Sequence, residues 1–196
     1  MSIVRKLRGL RTALPMIAVL IANDPVGADS GAGQAPAQEA VVPQWVQEDW
    51  EFQARGNGRW IADNTAHKTQ DAPYDAYGIE WKWGLGGKSL KGRLFAMQDG
   101  EEIGTLFELH SWWHPGEKRQ VADQFGSDGT YATGTITRIG EGRTEVLQRF
   151  FHPDGTTHQV GHRQEFRGDE FRTQSYDVSE GGVWKERRLY VFKLSK

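Results

Sequence analysis

The stretch that decides the fold is Ile79–Leu94, IEWKWGLGGKSLKGRL, in which apolar residues take every second place on both sides of a glycine pair. Alternation with a period of two is typical of a β-strand that buries one face, and two glycines between such runs are typical of a hairpin turn. The segment therefore predicts two antiparallel strands joined at Gly86–Gly87, with Trp81 and Trp83 on the inner face.

The same pattern continues to the end of the chain. Strand-like segments alternate with short runs that combine Gly with Asp, Pro or Ser, the residues that supply the special backbone angles of hairpin turns. The longer connection Thr65–Ala76 is the exception. The predicted strands are Arg59–Ala66, Tyr77–Leu85, Lys88–Gln98, Ile103–Trp113, Arg119–Phe125, Thr130–Ile139, Arg143–Phe151, Thr156–Phe166, Glu170–Val178 and Trp184–Leu194.

Successive hairpins give a meander, which must cover one face of its sheet and protect two edge strands. Closure into a barrel does both. We therefore predict an all-β domain over residues 44–196, a ten-stranded antiparallel up-and-down meander closed into a barrel, with a short helix over Gln44–Ala54. A two-layer sandwich is the alternative, although it usually needs longer crossovers than this chain offers.

The N-terminal residues have the pattern of an export signal. Four basic residues before residue 12 are followed by the apolar run Leu14–Ala22 and by Val26–Ala28, which has the small residues of a cleavage site. We expect a signal peptide over residues 1–28, a disordered linker over residues 29–43 and a periplasmic or secreted protein. A short membrane anchor is the alternative, but the apolar run is shorter than the roughly 20 residues of a spanning helix.

Charge and composition narrow the classes of partner. Without residues 1–28 the chain has 20 basic and 25 acidic residues, a net charge of −5. An acidic chain has no electrostatic reason to bind nucleic acid or anionic lipid, so we expect neither a nucleic-acid partner nor membrane insertion after the leader is removed. The chain has no cysteine and hence no disulfide.

Alternation also predicts which residues face the interior of the barrel. In each strand we assign the face with more charged residues to solvent and the other face to the inside. The predicted inner residues are Ile79, Trp81, Trp83, Phe107, Leu109, Trp113, Val121, Asp123, Phe125, Val146, Gln148, Phe150, His158, Val160, His162, Gln164, Phe166, Trp184, Glu186, Arg188, Tyr190, Phe192 and Leu194. The segments Thr130–Ile139 and Glu170–Val178 do not decide between their faces.

This predicted inner face is apolar with polar insertions. Burying a polar group without a partner costs about 1–3 kcal/mol. The polar insertions would therefore destabilise a solid core. A hydrated cavity that holds a small amphipathic or hydrophobic molecule makes them tolerable, and a filled, self-satisfied polar network is the alternative. The residues expected to bind the ligand are Trp81, Trp83, Gln148, His162, Gln164, Arg188 and Tyr190.

Two segments resemble a known family. Gly58–Trp60, GRW, resembles the glycine-x-tryptophan at the start of the first strand of lipocalins and fatty-acid-binding proteins, the calycin group. The segment Trp83–Gly92, WGLGGKSLKG, resembles bacterial exported lipocalin-like domains of unknown function. The resemblance covers residues 44–196 and implies barrel closure by Gly58, Trp60 and an arginine of the last strand that packs over the tryptophan, for which Arg188 is the candidate.

The family pattern also differs from this sequence. Classical lipocalins have eight strands and a helix after the last one, whereas this chain ends with its last strand. Fatty-acid-binding proteins have a two-helix lid, for which Thr65–Ala76 is too short. Arg188 and Tyr190 resemble the arginine-x-tyrosine pair with which those proteins bind a carboxylate. The resemblance therefore leaves two roles open for Arg188, ligand binding and barrel closure.

We expect no cofactor and no metal. The six histidines are scattered, and His158 and His162, on one strand face, are separated by about 13 Å at roughly 3.3 Å per residue, too far to chelate one ion. The resemblance to nitrobindin-like barrels keeps a haem on His162 as an alternative.

Two other classes of function stay open. A small-barrel enzyme of the isomerase or lyase type would use His162 with Glu186 or Asp123 as an acid–base pair. An envelope structural or interaction protein would use the outer face, where Phe95 and Met97 are expected.

Overall fold

The structure is a computed structural model that describes residues 41–70 and 72–196. The expected signal peptide and residues 29–40 of the expected linker lie outside the described residues. Within the described part, helix α1 (Gln44–Ala54) precedes ten strands, which are β1 (Arg59–Asp63), β2 (Ala76–Trp83), β3 (Ser89–Gln98), β4 (Glu101–His114), β5 (Arg119–Gly126), β6 (Tyr131–Gly140), β7 (Arg143–Phe151), β8 (Thr157–Arg167), β9 (Glu170–Val178) and β10 (Trp184–Leu194).

The strands form a closed antiparallel barrel. Each strand pairs with its neighbour in sequence, and β1 also pairs with β10, so the predicted up-and-down meander is confirmed. Short hairpins make this order, and the one at Gly86–Gly87 forms as predicted. Both glycines have positive φ, 65° and 67°, which residues with a Cβ adopt rarely. α1 forms over its predicted range.

The pairing register confirms the inner faces predicted for β7 and β8. Val146 lies opposite His162, and Gln148 lies opposite Val160. Because residues directly opposite each other in a sheet point to the same side, these four side chains share the interior.

In β5 the structure corrects the prediction that Val121, Asp123 and Phe125 face inward. Gln124 is the residue opposite inward-facing Leu109, so the even-numbered residues of β5 point into the barrel. Phe125 is 45% exposed on the outside.

Hydrogen bonds explain why β5 takes this orientation. On the outside, the Asp123 carboxylate accepts bonds from Trp112 Nε1 (2.9 Å) and from the Tyr131 hydroxyl (3.2 Å). On the inside, Gln124 Nε2 donates to Gln148 Oε1 at 2.8 Å. Since both faces of β5 mix polar and apolar residues, alternation alone does not distinguish them.

In β10 an irregularity corrects the predicted positions of Trp184 and Glu186. The register shifts between Glu186 and Leu189, and the Ser175 hydroxyl bonds both the backbone N–H and the backbone C=O of Arg188 at that point. The shift exchanges the two faces of the strand, so Glu186 is exposed outside the barrel instead of facing in. Residues from Tyr190 onward keep the predicted inner face.

Helix α1 covers one end of the barrel. Its buried residues Val46 and Trp50 pack on Leu90, the inward residue at the start of β3. Trp50 Nε1 donates to the Ser111 hydroxyl at 3.0 Å. Phe52 stacks on Trp60 with ring centres 5.2 Å apart. The apolar face of α1 therefore closes the end at which β1 begins.

Arg55, at the end of α1, takes the place that the family resemblance gives to Arg188. Its guanidinium lies 4.1 Å from the Phe52 ring centre and 5.0 Å from the Trp60 ring centre. It also donates to the Gly168 carbonyl and pairs with Asp169 in the turn between β8 and β9. Trp60 is thus covered from the helix side and not by the last strand.

Arg188 instead joins the two strands at the seam, near the opposite end of the barrel. Its guanidinium donates to the Asn64 side-chain oxygen and, at 3.3 Å, to the Asp63 carbonyl at the end of β1. It lies 4.2 Å from the ring centre of Tyr190. The structure therefore corrects the expected stacking of Arg188 on Trp60, while placing Arg188 between β10 and the chain that follows β1.

We predict that Arg55→Ala lowers the free energy of unfolding by about 1–2 kcal/mol, because it removes a stacked cation and a bridge to the β8–β9 turn. Arg55→Lys keeps the charge but loses the flat guanidinium, and we expect it to restore less than half of that loss. Urea unfolding monitored by tryptophan fluorescence measures both. Full stability in Arg55→Lys would show that the stacking is not needed.

Candidate functional site

The interior of the barrel holds a cavity of about 390 Å³. Its wall is built from β2 to β10 together with Gln53 of α1, and most of it is apolar. The residues that line it are Gln53, Tyr77, Ile79, Trp81, Leu94, Leu106, Phe107, Leu109, His110, Ser111, Ala122, Asp123, Gln124, Ile136, Val146, Gln148, His162, Gln164, Phe171, Thr173, Tyr190 and Phe192.

The cavity brings together five of the seven side chains predicted to bind a ligand. Trp81, Gln148, His162, Gln164 and Tyr190 line it. The remaining two, Trp83 and Arg188, do not line it, and the reason differs between them.

Trp83 lies at the end of the barrel that helix α1 covers. Leu90, its partner in β3, is fully buried against Val46 and Trp50. The Trp83 ring packs edge-on against Trp50 of the helix, with ring centres 6.4 Å apart, and the Trp83 residue is 46% exposed. Trp83 therefore has the predicted face, the same as Leu90, but it lies at the helix and beyond the cavity, and Trp81 is the tryptophan that reaches the cavity.

The two glutamines of the wall that were expected to bind a ligand, Gln148 and Gln164, are bound to the protein itself. Gln148 accepts from Gln124 and donates to the Ala122 carbonyl at 3.2 Å. Gln164 accepts from the Thr144 hydroxyl at 3.1 Å. This part of the interior resembles the self-satisfied network, yet the network leaves the cavity unfilled.

Other polar atoms of the same wall have no partner. Trp81 Nε1, His162 Nδ1 and Thr173 Oγ1 are buried and form no hydrogen bond within the described residues. Burial, with a smaller contribution from the charge of Arg187, lowers the pKa of His162 to about 4, so its ring is neutral at pH 7. The site therefore contains buried hydrogen-bonding capacity that the protein does not use.

The structure does not assemble the acid–base pair considered from the sequence. His162 faces the cavity, whereas the Asp123 side chain is bonded to Trp112 and Tyr131 outside, and Glu186 is exposed beyond the irregularity of β10. A neutral imidazole with a pKa near 4 is also a weak base at pH 7.

A hydrogen-bonded chain lies at the end of the barrel away from α1, which we call the mouth. The Thr130 hydroxyl donates to Asp128 at 3.0 Å, so it accepts from His152 Nδ1 at 3.3 Å. Neutral His152 then accepts at Nε2 from His158 Nδ1, 2.9 Å away. The chain fixes the proton of His158 on Nδ1 and leaves its Nε2 as an acceptor.

Phe95, which was expected on the outer face, is fully buried there. The guanidinium groups of Arg59 and Arg93 lie 4.3 and 4.8 Å from its ring centre, and both arginines pair with Glu102. A charged network therefore covers Phe95, one of the two apolar residues on which the hypothesis of an outer interaction surface was based.

Sequence reasoning missed Thr173 and Phe171, because the alternation of β9 does not favour either face. Pairing with the neighbouring strand β8 would have identified both residues. Thr173 lies opposite Gln164, and Phe171 lies opposite Phe166. Once the inner face of β8 is assigned, the hairpin register gives that of β9.

Comparisons with known proteins assign the chain to no family. No protein-family model matches the chain, and no curated protein matches it. In residues 41–70 and 72–196, no three His, Asp or Glu side chains are grouped to hold a metal ion. No helix in the same ranges has the length and apolar character needed to cross a membrane.

Two buried groups predict opposite effects of pH on stability. Asp49 of α1 has an unpartnered Oδ2, and burial raises its pKa to about 7, with Arg138 opposing and Glu48 adding to the rise. Between pH 4 and 7 the folded state therefore keeps a proton on Asp49 that the unfolded chain has lost. Because the folded state binds more protons there, this group lowers the free energy of unfolding as pH rises from 4 to 7. His162 stays neutral while the unfolded chain is protonated, which raises stability from pH 4 to 6.5.

We predict that the free energy of unfolding of Asp49→Asn increases relative to that of the wild type as pH rises from 4 to 7. For His162→Gln we predict the opposite, a decrease relative to the wild type between pH 4 and 6.5. At about 1.4 kcal/mol per pKa unit, the expected changes are about 4 kcal/mol for Asp49 and about 3 kcal/mol for His162. Urea unfolding at several pH values measures the two difference curves. Parallel curves would show that one of the two groups titrates normally in the folded protein.

The chain at the mouth predicts a specific tautomer. Above pH 8 we expect His158 to carry its proton on Nδ1, and we expect Thr130→Val to release His152 and give His158 a mixture of tautomers. Long-range ¹⁵N–¹H correlation spectra report the tautomer directly. A proton on Nε2 in the wild-type protein would contradict the donor order derived above.

Proposed function

We propose that this barrel is an exported protein that binds a small amphipathic molecule in its interior. The observation that carries the proposal is the cavity of about 390 Å³, whose wall contains unpartnered polar atoms on Trp81, His162 and Thr173. Ligand pockets commonly have volumes of about 300–1,000 Å³, with apolar walls and a few convergent polar groups.

Energetics support a ligand over an empty interior. Each buried donor or acceptor without a partner costs about 1–3 kcal/mol, and an apolar void loses dispersion contacts along its wall. A ligand with an apolar body and a hydrogen-bonding group would recover both. The resemblance to lipocalins and fatty-acid-binding proteins agrees with this use, and the leader expected over residues 1–28 supports export.

One observation favours a second candidate function, acid–base chemistry at the mouth. His158 Nε2 is an acceptor whose orientation is set by the chain through His152, Thr130 and Asp128. Burial, together with the charges of His152 and Arg187, lowers the pKa of His158, while Asp177 raises it. A binding protein returns its ligand unchanged on extraction, whereas an enzyme depletes it over time.

The two tryptophans of β2 provide a matched test. We predict that solvent-extracted protein binds the uncharged fluorophore N-phenyl-1-naphthylamine and that Trp81→Phe weakens this binding about three- to tenfold, since it removes apolar contact area. Trp83→Phe is the control, because Trp83 lies outside the cavity. Fluorescence titration measures the dissociation constants. Equal weakening by both variants, or no binding by the wild type, would refute an interior site.

A further inference from the structure

We infer that the polar end of the ligand is an uncharged group, a hydroxyl, ketone or amide, which binds among Trp81, His162 and Thr173. The inference rests on the proposed function and narrows it to a ligand class. It departs from the carboxylate that the arginine-x-tyrosine resemblance implies.

The cavity wall offers no charge to an ionic ligand. Among the described residues the lining contains no Lys, Arg or Glu, and the side chain of Asp123 is bonded to Trp112 and Tyr131 outside. His110 lies opposite Asp123 and beside Phe125, on the outward side of the wall. His162, which faces the cavity, is neutral at pH 7. A carboxylate or ammonium group placed here would be buried without a counter-ion, which is far more costly than burying a neutral polar group.

The cations that lie nearest are bound to other groups of the protein. Arg188 donates to Asn64 and to the Asp63 carbonyl and does not line the cavity. Arg187, at the mouth, has its Nη1 3.5 Å from Asp177 Oδ1, and both side chains are more than half exposed. The partners of Arg188 are uncharged and its Nε is buried without a hydrogen bond, but its side chain does not line the cavity.

The three unpartnered groups define the chemistry of a neutral ligand. The indole N–H of Trp81 is only a donor, so the ligand needs at least one acceptor. The hydroxyl of Thr173 and the neutral ring of His162 each donate or accept. Hydroxyl, ketone and amide groups satisfy such a set without any charge.

Position adds a constraint on the ligand's shape. Thr173 lies opposite Tyr190 in β10, and Tyr190 lies edge-on to Tyr77 with ring centres 6.0 Å apart. Ile79 and Phe192 extend the apolar wall beside them. The cavity has the volume of about thirteen water molecules, at roughly 30 Å³ each in the liquid.

The test uses four ten-carbon compounds that differ in their polar end: decanamide and decan-1-ol are neutral, decanoate and decylammonium are charged at pH 7.5. Each competes with N-phenyl-1-naphthylamine on the full, solvent-extracted chain. We expect the neutral pair to bind at least tenfold more tightly than the charged pair. Decanoate binding as tightly as decanamide would overturn the inference and leave interior binding in place, and weakening in Arg187→Gln or Arg188→Gln would identify the cation responsible.

Variants locate the polar end. Thr173→Val keeps the shape of the side chain and removes its hydroxyl, so we expect decanamide to bind about two- to tenfold more weakly while the fluorophore binds as before. The melting temperature should not fall, because the hydroxyl has no partner to lose. Thr137→Val, on the exposed outer face of β6, is the matched control.

The outcomes distinguish an error in the assigned polar end from an error in the proposed interior binding. Unchanged decanamide affinity in Thr173→Val would overturn the assignment of the polar end. Failure of all four compounds and the fluorophore to bind would overturn the proposed function together with this inference.

Discussion

The packing around Trp60 holds the barrel together. Trp60 is completely buried, donates from Nε1 to the Gln53 carbonyl at 2.8 Å, and stacks on Phe52. Its backbone lies opposite Leu194 of the last strand, so one residue joins the covering helix, the first strand and the last. The cavity depends on this junction, because β1 is only five residues long and has to pair on both sides.

The order of the strands could be predicted because it is encoded locally. From β2 onward each turn contains a glycine, and each hairpin needs only the residues on either side of that turn. The orientation of β5 and of the first half of β10 could not be predicted in the same way. In β5 each face carries two polar residues among apolar ones. In β10 the Ser175 hydroxyl accepts from the backbone N–H of Arg188 and donates to its C=O, at an irregularity that alternation does not reveal.

The candidate site was predictable where one strand face is clearly apolar. Trp81, Tyr190 and His162 follow from alternation alone. Trp83 follows the same rule and still lies outside, because the helix that fills this end of the barrel comes from a distant part of the sequence. Arg55 and Arg188 show a related difficulty: both are arginines near the seam of the barrel, and only the three-dimensional structure shows that Arg55 is the one over Trp60.

The seam between β1 and β10 has a consequence for how the chain folds. The other strand pairs join neighbours in sequence, through short turns from β2 onward and through the longer connection 64–75 between β1 and β2, whereas this pair joins Trp60 and Leu194, at opposite ends of the domain. Local pairs form fastest, and closing a loop of almost the whole domain costs more entropy, so the meander forms first and the seam closes last. During synthesis one edge of β1 has no partner strand until β10 has been made. In that interval the inner apolar face is open to water, and the free edge is a template for pairing with other chains.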